Sequence, residues 1–363
     1  NAANNGCSSS CGTGTLSNPW RTVRDMYQNG VPSDFIYFRN GTYRVTDLPR
    51  DGVGGPWERV NFTAERNPVV WMAYPGHSPL IDFAYSAGSE NGPLIRFGGN
   101  TVYVDGFQTR NSRHIAFQYE TVPGGTGPTF RRLRMQQIVG VDGTNASFIM
   151  MTTTPTPASY GVIQDSDFSG VTGVGVTLKI YAQNKLLIED TTHHDSTYAV
   201  ELKDDVRQFS VRRNVVYNTQ ITGIGGNMQE TTTHGEILFN NVQAGLALDL
   251  NQNGMAGRIH VYRNTIVGRA QVRNTDSADG PFYLYNNVIV NNDGGTPSGS
   301  HIYHSNVSAA GRIVLTDNLT GYPADNIVDG NGNLTAAYAN YLGTHGHQIA
   351  GGPRPPTNLR IVP

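Results

Sequence analysis

The chain has 363 residues, 37% hydrophobic and 15% charged, with a formal net charge of −2. That balance excludes a broadly basic nucleic-acid-binding surface, and the low charge argues against a disordered chain. No stretch approaches the roughly 18 unbroken apolar residues of a membrane span, so neither nucleic acid nor membrane is expected as a partner.

In chain order, the first feature is a Ser/Gly-rich N-terminus with Cys7 and Cys11. The pair fits a disulfide of an exported protein, or a Cys-x3-Cys metal pair without further ligands nearby. The start at Asn1, with no Met and no apolar signal segment, reads as the mature form of a secreted or periplasmic protein. Pro19–Gln28 carries an apolar stripe at helical spacing and predicts one short helix. Trp71, within Pro68–Tyr74, reads as a core residue, and Trp57, in a Gly/Pro-rich loop, as an exposed one.

From about residue 100 a phrase recurs: alternating apolar residues, then a polar residue, then another apolar pair. It reads FSVRRNVVYN at 209–218, EILFNNVQAG at 236–245, IHVYRNTIVG at 259–268 and FYLYNNVIVN at 282–291. Aligned on its centre, the column is Ser166, Thr191, Asn214, Asn241, Asn264, Asn287 and Asn318. Such a period predicts a solenoid, because each unit buries its apolar face only against its neighbours. Stacked at about 4.8 Å, like residues lie above like. A buried Asn column then bonds from turn to turn with both donor and acceptor, so the Asn column is structural.

A second strand follows in each unit, at 173–181, 197–205, 245–252, 268–274 and 300–306. These alternate apolar and polar residues, as a strand with one buried face does. None of the 19 prolines lies between Pro157 and Pro281, and proline is excluded from interior strands. The helix at Pro19–Gln28 is then expected to cap the open N-terminal end. Residues 1–330 are read as one domain and the Pro-rich 331–363 as an extension that packs on the solenoid or links onward. His345 and His347, within it, read as loop histidines.

The segment GTLSNPWRTVRDMYQNGVPSDFIYFRNGTYRV (14–45), followed by Asn-punctuated repeats, resembles the pectate-lyase-like right-handed β-helix superfamily. The resemblance implies an all-β, single-stranded right-handed parallel β-helix with a short N-terminal capping helix. It also implies that the Asn ladder marks the turn between the second and third sheets. The later strand of each unit then lies on the first sheet, whose outer face forms the substrate groove in such proteins. The superfamily holds polysaccharide lyases, glycoside hydrolases, epimerases and phage tailspikes.

Alternation assigns side chains to the two faces of those strands. With Val176, Leu178, Val200 and Leu202 inward, Thr177, Lys179, Glu201 and Lys203 point out. Ala247 and Asp249 do the same beside Leu246, Leu248 and Leu250, and Gln271 and Arg273 flank Val272. Lys179, Lys203, Asn227, Asp249 and Arg273 are therefore expected in one outward column. The chain has only three lysines, Lys179, Lys185 and Lys203, so two of them would stand a turn apart. Like charges at that range depress an amine's pKa, which suits a general base.

Elimination from a uronan needs a group to neutralise the carboxylate, a base for the C5 proton and an acid for the leaving oxygen. Lys203 is the expected base. Lys179, Arg207, His193 or a bound Ca²⁺ would neutralise the carboxylate, and Tyr198 or His194 would be the acid. Asn227 and Arg273 are expected substrate contacts. Asp195, Glu201 and Asp204 offer oxygen ligands for Ca²⁺, although no known calcium loop is present. Trp57 is placed to stack on a sugar ring.

The leading expectation is a secreted, monomeric lyase acting on an acidic polysaccharide. A glycoside hydrolase using paired carboxylates is the first alternative, with Asp165 and Asp167, Asp204 and Asp205, or Glu201 and Asp249 as pairs. The chain lacks the paired-Asp, Gly-His-Gly and Arg-Ile-Lys phrases of polygalacturonases. It also lacks the arginine that alginate lyases of this fold place one turn after the outward lysine. A glycan-binding or structural solenoid without catalysis is the second alternative.

Overall fold

The computed structural model describes residues 14–20, 26, 35–45, 57–62, 68–83, 92–99, 101–120, 126–139, 146–152, 158–204, 206–228, 234–238, 240–252, 258–273, 282–290, 302–305, 313–316 and 318–320. The chain is an all-β parallel β-helix. Eleven strands, from Phe35–Phe38 to Ile313–Thr316, stack in parallel as one sheet that leads into the Asn ladder. Their inward positions form a continuous apolar column, among them Trp71, Val104, Phe130, Ile163, Ile188, Val211, Ile237, Val261 and Leu284. Trp71 is 1% exposed, so it is core as expected.

The other two faces run together into one 19-stranded sheet. The reason is visible in Thr192–Lys203, which crosses the bend between faces unbroken. Its first half pairs with Asp167–Thr172 and its second half with Gly175–Tyr181. The register slips at Ser196–Tyr198, where the bend is made. Among the described residues one apolar cluster runs inside the coil from Met26 to Ile289. Of the expected capping helix, the described part is small: Met26 is helical and buried, and Trp20 packs half-buried against the core. Cys7, Cys11, His345, His347 and the whole 331–363 extension lie outside the described residues. Among the described residues no helix is long and apolar enough to cross a membrane.

The ladder corrects one position. Its members are Asn214, Asn240, Asn264, Asn287 and Asn318, with Asn240 in place of the expected Asn241. Each side-chain oxygen accepts the backbone N–H of the preceding ladder residue, at 2.9–3.1 Å. Each Nδ2 donates back to a carbonyl of the preceding turn, as Asn264 does to Ile237 at 2.8 Å. The ladder residue stands three places after an inward apolar residue, Val211, Ile237, Val261 or Leu284. In the Phe239–Asn240–Asn241 phrase that spacing selects the first Asn. Ser166 and Thr191 extend the column with hydroxyls: Ser166 accepts from Leu133 N–H, and Thr191 donates to Asn214 Oδ1.

The described residues before members of the column take the left-handed conformation: Asp165, Asp190, Arg213, Arg263 and Asn286 have φ between 51° and 55°, and Arg132, before Leu133, has 49°. That costs an arginine about 1–2 kcal/mol. Cross-turn ion pairs hold several of these corners in place. Arg132 makes two bonds to Asp105, at 2.6 and 2.7 Å. Arg213 bonds Asp190 at 2.9 and 2.7 Å and reaches Glu189 at 2.5 Å.

Candidate active site

Register places the candidate residues on the outer face of the long sheet. One column runs from Arg96 and Gln118 through Met150, Lys179, Glu201, Gly225 and Asp249 to Gln271. Lys179 therefore lies opposite Glu201, not Lys203, and Lys203 lies opposite Tyr181. The expected lysine column is off by two positions. The cause is a three-residue excursion at Thr172–Gly175, where Thr172, Gly173 and Val174 stand exposed at the junction of two strands. The next turn crosses the same bend without it.

The result is a charge triad. Lys203 Nζ meets Glu201 Oε1 at 2.8 Å, and Lys179 Nζ stands 3.8 Å from Glu201 Oε2. Lys203 and Glu201 are 26% and 22% exposed, so both reach the surface, whereas Lys179 is 1% exposed. Burial draws the Lys179 amine down to about 8; Glu201 opposes the shift, and Lys203 adds to it. The depression thus comes first from burial and only secondarily from the second lysine. Lys179 Nζ also lies 5.5 Å from the ring centroid of Tyr181. Tyr181, two residues on from Lys179, shares its face and is half-buried. Burial, with Glu201 and Asp204, raises its phenol to about 12.

The other expected residues separate. His193 lies inside the coil at 0% exposure, stacked on Phe168. Its ring nitrogens meet the hydroxyls of Thr177 and Thr191 at 2.6 and 2.7 Å, and burial lowers it to about 3. It offers no face to a substrate. Simple alternation fails here because the strand bends; Thr177, which bonds His193, and Ala247, both read as outward, are likewise fully buried. Tyr198 pairs with Val176 and Thr222 and is half-buried at the bend, where the register slips. Five residues at about 3.3 Å each also put it roughly 16 Å along the strand from Lys203.

His194 lies beyond the bend, on the adjoining face. It bonds Asp195 at 2.7 Å and Asp167 at 3.1 Å and stacks on Tyr217 with centroids 4.8 Å apart. The bond to Asp167, helped by Asp195, raises its pKa despite burial. A raised folded pKa contributes stability that is full below the unfolded value and fades as pH rises through the folded one. His194→Gln is therefore expected to lower the melting temperature more at about pH 5.5 than at about pH 9, either side of the unfolded histidine value near 6.5. An equal loss at both would show that the imidazolium is not what the two carboxylates hold.

Arg207 immediately precedes the ladder-sheet strand Gln208–Arg212, its N–H bonded to Gln183 O at 2.8 Å. Asn227 pairs with Asn251, which pairs with Arg273, so both expected contacts lie on the long sheet downstream of the triad. Trp57 starts the strand Trp57–Phe62 rather than lying in a loop. Of the carboxylate pairs, Asp165 bonds Arg131 and Asp167 bonds His194, both beside the ladder turn. Asp205 lies outside the described residues. Asp249 lies two turns from Glu201 across Gly225 and accepts from Gln271 at 2.9 Å.

The calcium ligands do not fit a shared ion. Asp195 is bonded by His194 and Asn218, while Glu201 is held between two ammonium groups that would repel a divalent cation. Asp204 is exposed, directly after the strand Thr192–Lys203, with φ 48°. Among the described residues no group of three His, Cys, Asp or Glu side chains could hold a metal.

Solved structures supply the comparison. A rhamnogalacturonan lyase is similar over 94% of this chain and 95% of that one, at 15% identity and a TM-score of 0.58. XylC in complex with xylose is similar over 88% and 86%, at 11% identity and a TM-score of 0.52. The chain has the pectate-lyase-like parallel β-helix fold. Pectate lyase Pel9A also aligns, over 96% and 90%, at 11% identity and a TM-score of 0.47. No protein-family model and no curated protein matches the sequence.

On this pectate-lyase-like helix the triad occupies the outer face of the long sheet. Tyr181 is the neighbour that sequence reading passed over. Its signal was available, since it stands two residues on from Lys179 in the strand Gly175–Tyr181.

Proposed function

We propose that the protein is a polysaccharide lyase that cleaves a uronate-containing polymer by β-elimination at Lys179, Glu201 and Lys203. The observation that carries this reading is the buried Lys179 amine, drawn to about 8 beside a more exposed lysine on the sheet's outer face. The likeness of fold to a rhamnogalacturonan lyase supports it. The two lysines divide the work in the reverse of the sequence expectation. Lys203, ion-paired and accessible, receives the uronate carboxylate in place of Glu201. Lys179 lies behind Glu201 and is uncovered when that carboxylate lets go of Lys203. As a neutral amine it takes the C5 proton. No step needs a metal. The reading carries with it an exported protein that works as a monomer.

The test is a panel of uronans and neutral glycans, following the ultraviolet absorbance of the unsaturated uronate end. Absorbance growing only with uronans supports the reading; new reducing ends without absorbance overturn it. Proton abstraction by Lys179 also fixes a pH dependence. The active form is the unprotonated amine, so kcat/KM is expected to climb with pH through about 8 and then level. Glu201 holds that amine up, so Glu201→Gln is expected to move the limb to lower pH. A limb that stays put would remove Lys179 from the role.

One observation favours hydrolysis as a second reading. Glu201 and Asp249 are two turns apart with the side-chain-less Gly225 between them. Two turns at about 4.8 Å bring the pair close to the separation of about 6.5–9.5 Å used by inverting glycosidases. The neighbour XylC is solved with xylose, a neutral sugar. The same panel separates the two, because hydrolysis leaves no unsaturated end.

A further inference from the structure

We propose that Tyr181 is the general acid of this site, giving its phenolic proton to the glycosidic oxygen as that bond breaks. The inference rests on the lyase reading and deepens it.

Three features of the geometry support it. Tyr181 is the cross-strand partner of Lys203, about one 4.8 Å strand spacing away. It shares the outward parity of Lys179, whose Nζ is 5.5 Å from its ring. It is half-buried, and among the described residues no group hydrogen-bonds its hydroxyl. A proton donor is thus available beside both the amine that removes the proton and the ammonium that receives the carboxylate. The other expected acids lie elsewhere: Tyr198 is five residues, roughly 16 Å, along the strand from Lys203, and His194 is committed to Asp167 and Asp195 beyond the bend.

The step balances within the site. The Lys179 amine takes the C5 proton and becomes an ammonium. The C5–H electron pair forms the C4–C5 double bond, and the C4–O bond breaks. The departing oxygen takes the Tyr181 proton and leaves as a hydroxyl. The phenolate then recovers a proton from the Lys179 ammonium, and both groups return to their starting states. Burial and the nearby Glu201 and Asp204 keep the phenol protonated until the leaving oxygen needs it.

The experiment compares Tyr181→Phe with wild type on two substrates: the polymer, and a uronide whose scissile oxygen belongs to an aryl ether. An aryl oxide leaves without being protonated, so the variant should keep its rate on that substrate within a few-fold. On the polymer it should lose about 10²–10⁴-fold in kcat. Equal losses on both substrates, or none on the polymer, would overturn the assignment. If the wild type yields an unsaturated product from neither substrate, the lyase reading fails and this inference falls with it. The melting temperature of Y181F, read alongside, should stay near that of the wild type.

Discussion

Lys179→Met is expected to abolish elimination while leaving the coil as stable as before or more so. A general base contributes about 10²–10⁴-fold, so the variant should fall by that factor in kcat on a uronan. The stability half follows from burial. Lys179 is 1% exposed, and burial is the largest influence on its amine. The folded chain therefore carries a charge it would rather shed, and methionine fills the same volume without it. Glu201 keeps its 2.8 Å partner Lys203 in the variant, so no carboxylate is orphaned. Activity assays and thermal melts on one preparation check both halves. A variant that loses stability along with activity would show Lys179 to be a structural ion pair.

Asn264→Ala is expected to destabilise the protein by about 3–5 kcal/mol, since each buried orphaned hydrogen-bonding group costs about 1–3 kcal/mol. Asn264 is 0% exposed and sits mid-ladder. Its Oδ1 accepts from the N–H and the Nδ2 of Asn240, both at 2.9 Å. Its Nδ2 donates to Ile237 O at 2.8 Å and to Asn287 Oδ1 at 3.0 Å. Alanine leaves Asn240 N–H and Ile237 O without these partners, in a place water does not reach. Denaturant titration measures the loss. Asn241→Ala, at the neighbouring position that sequence alignment favours, is expected to cost much less. If the two were equal, the ladder assignment at Asn240 would be wrong.

The fold was legible because two independent periodicities agree. Apolar alternation marks the inward column from Trp71 to Leu284, and a polar residue returns three places later in turn after turn. The one slip, Asn241 for Asn240, arose where two asparagines adjoin; the three-residue spacing from Ile237 and the hydrogen bonds both select the first. The site was less legible. That Glu201 and Lys203 face outward follows from parity, and their exposure agrees with it. That Lys179 faces Glu201 does not, because the excursion at Thr172–Gly175 changes the count between turns without altering the local pattern. His193 was misread for a related reason. Alternation holds along a straight strand, and Thr192–Lys203 bends at Ser196–Tyr198. Burial of Lys179, which does most to tune its amine, has no signature in a sequence where it reads like any outward lysine.

The central claim is that the bond breaks by elimination at this face. The most direct measurement is the mass of the products after digestion of a uronan in ¹⁸O-enriched water. The account predicts a new non-reducing end that lacks one water and a new reducing end that carries no solvent oxygen from the cleavage step. Products that together carry one added water, its solvent ¹⁸O bonded at the cleaved position, would contradict it and assign the chemistry to the carboxylates.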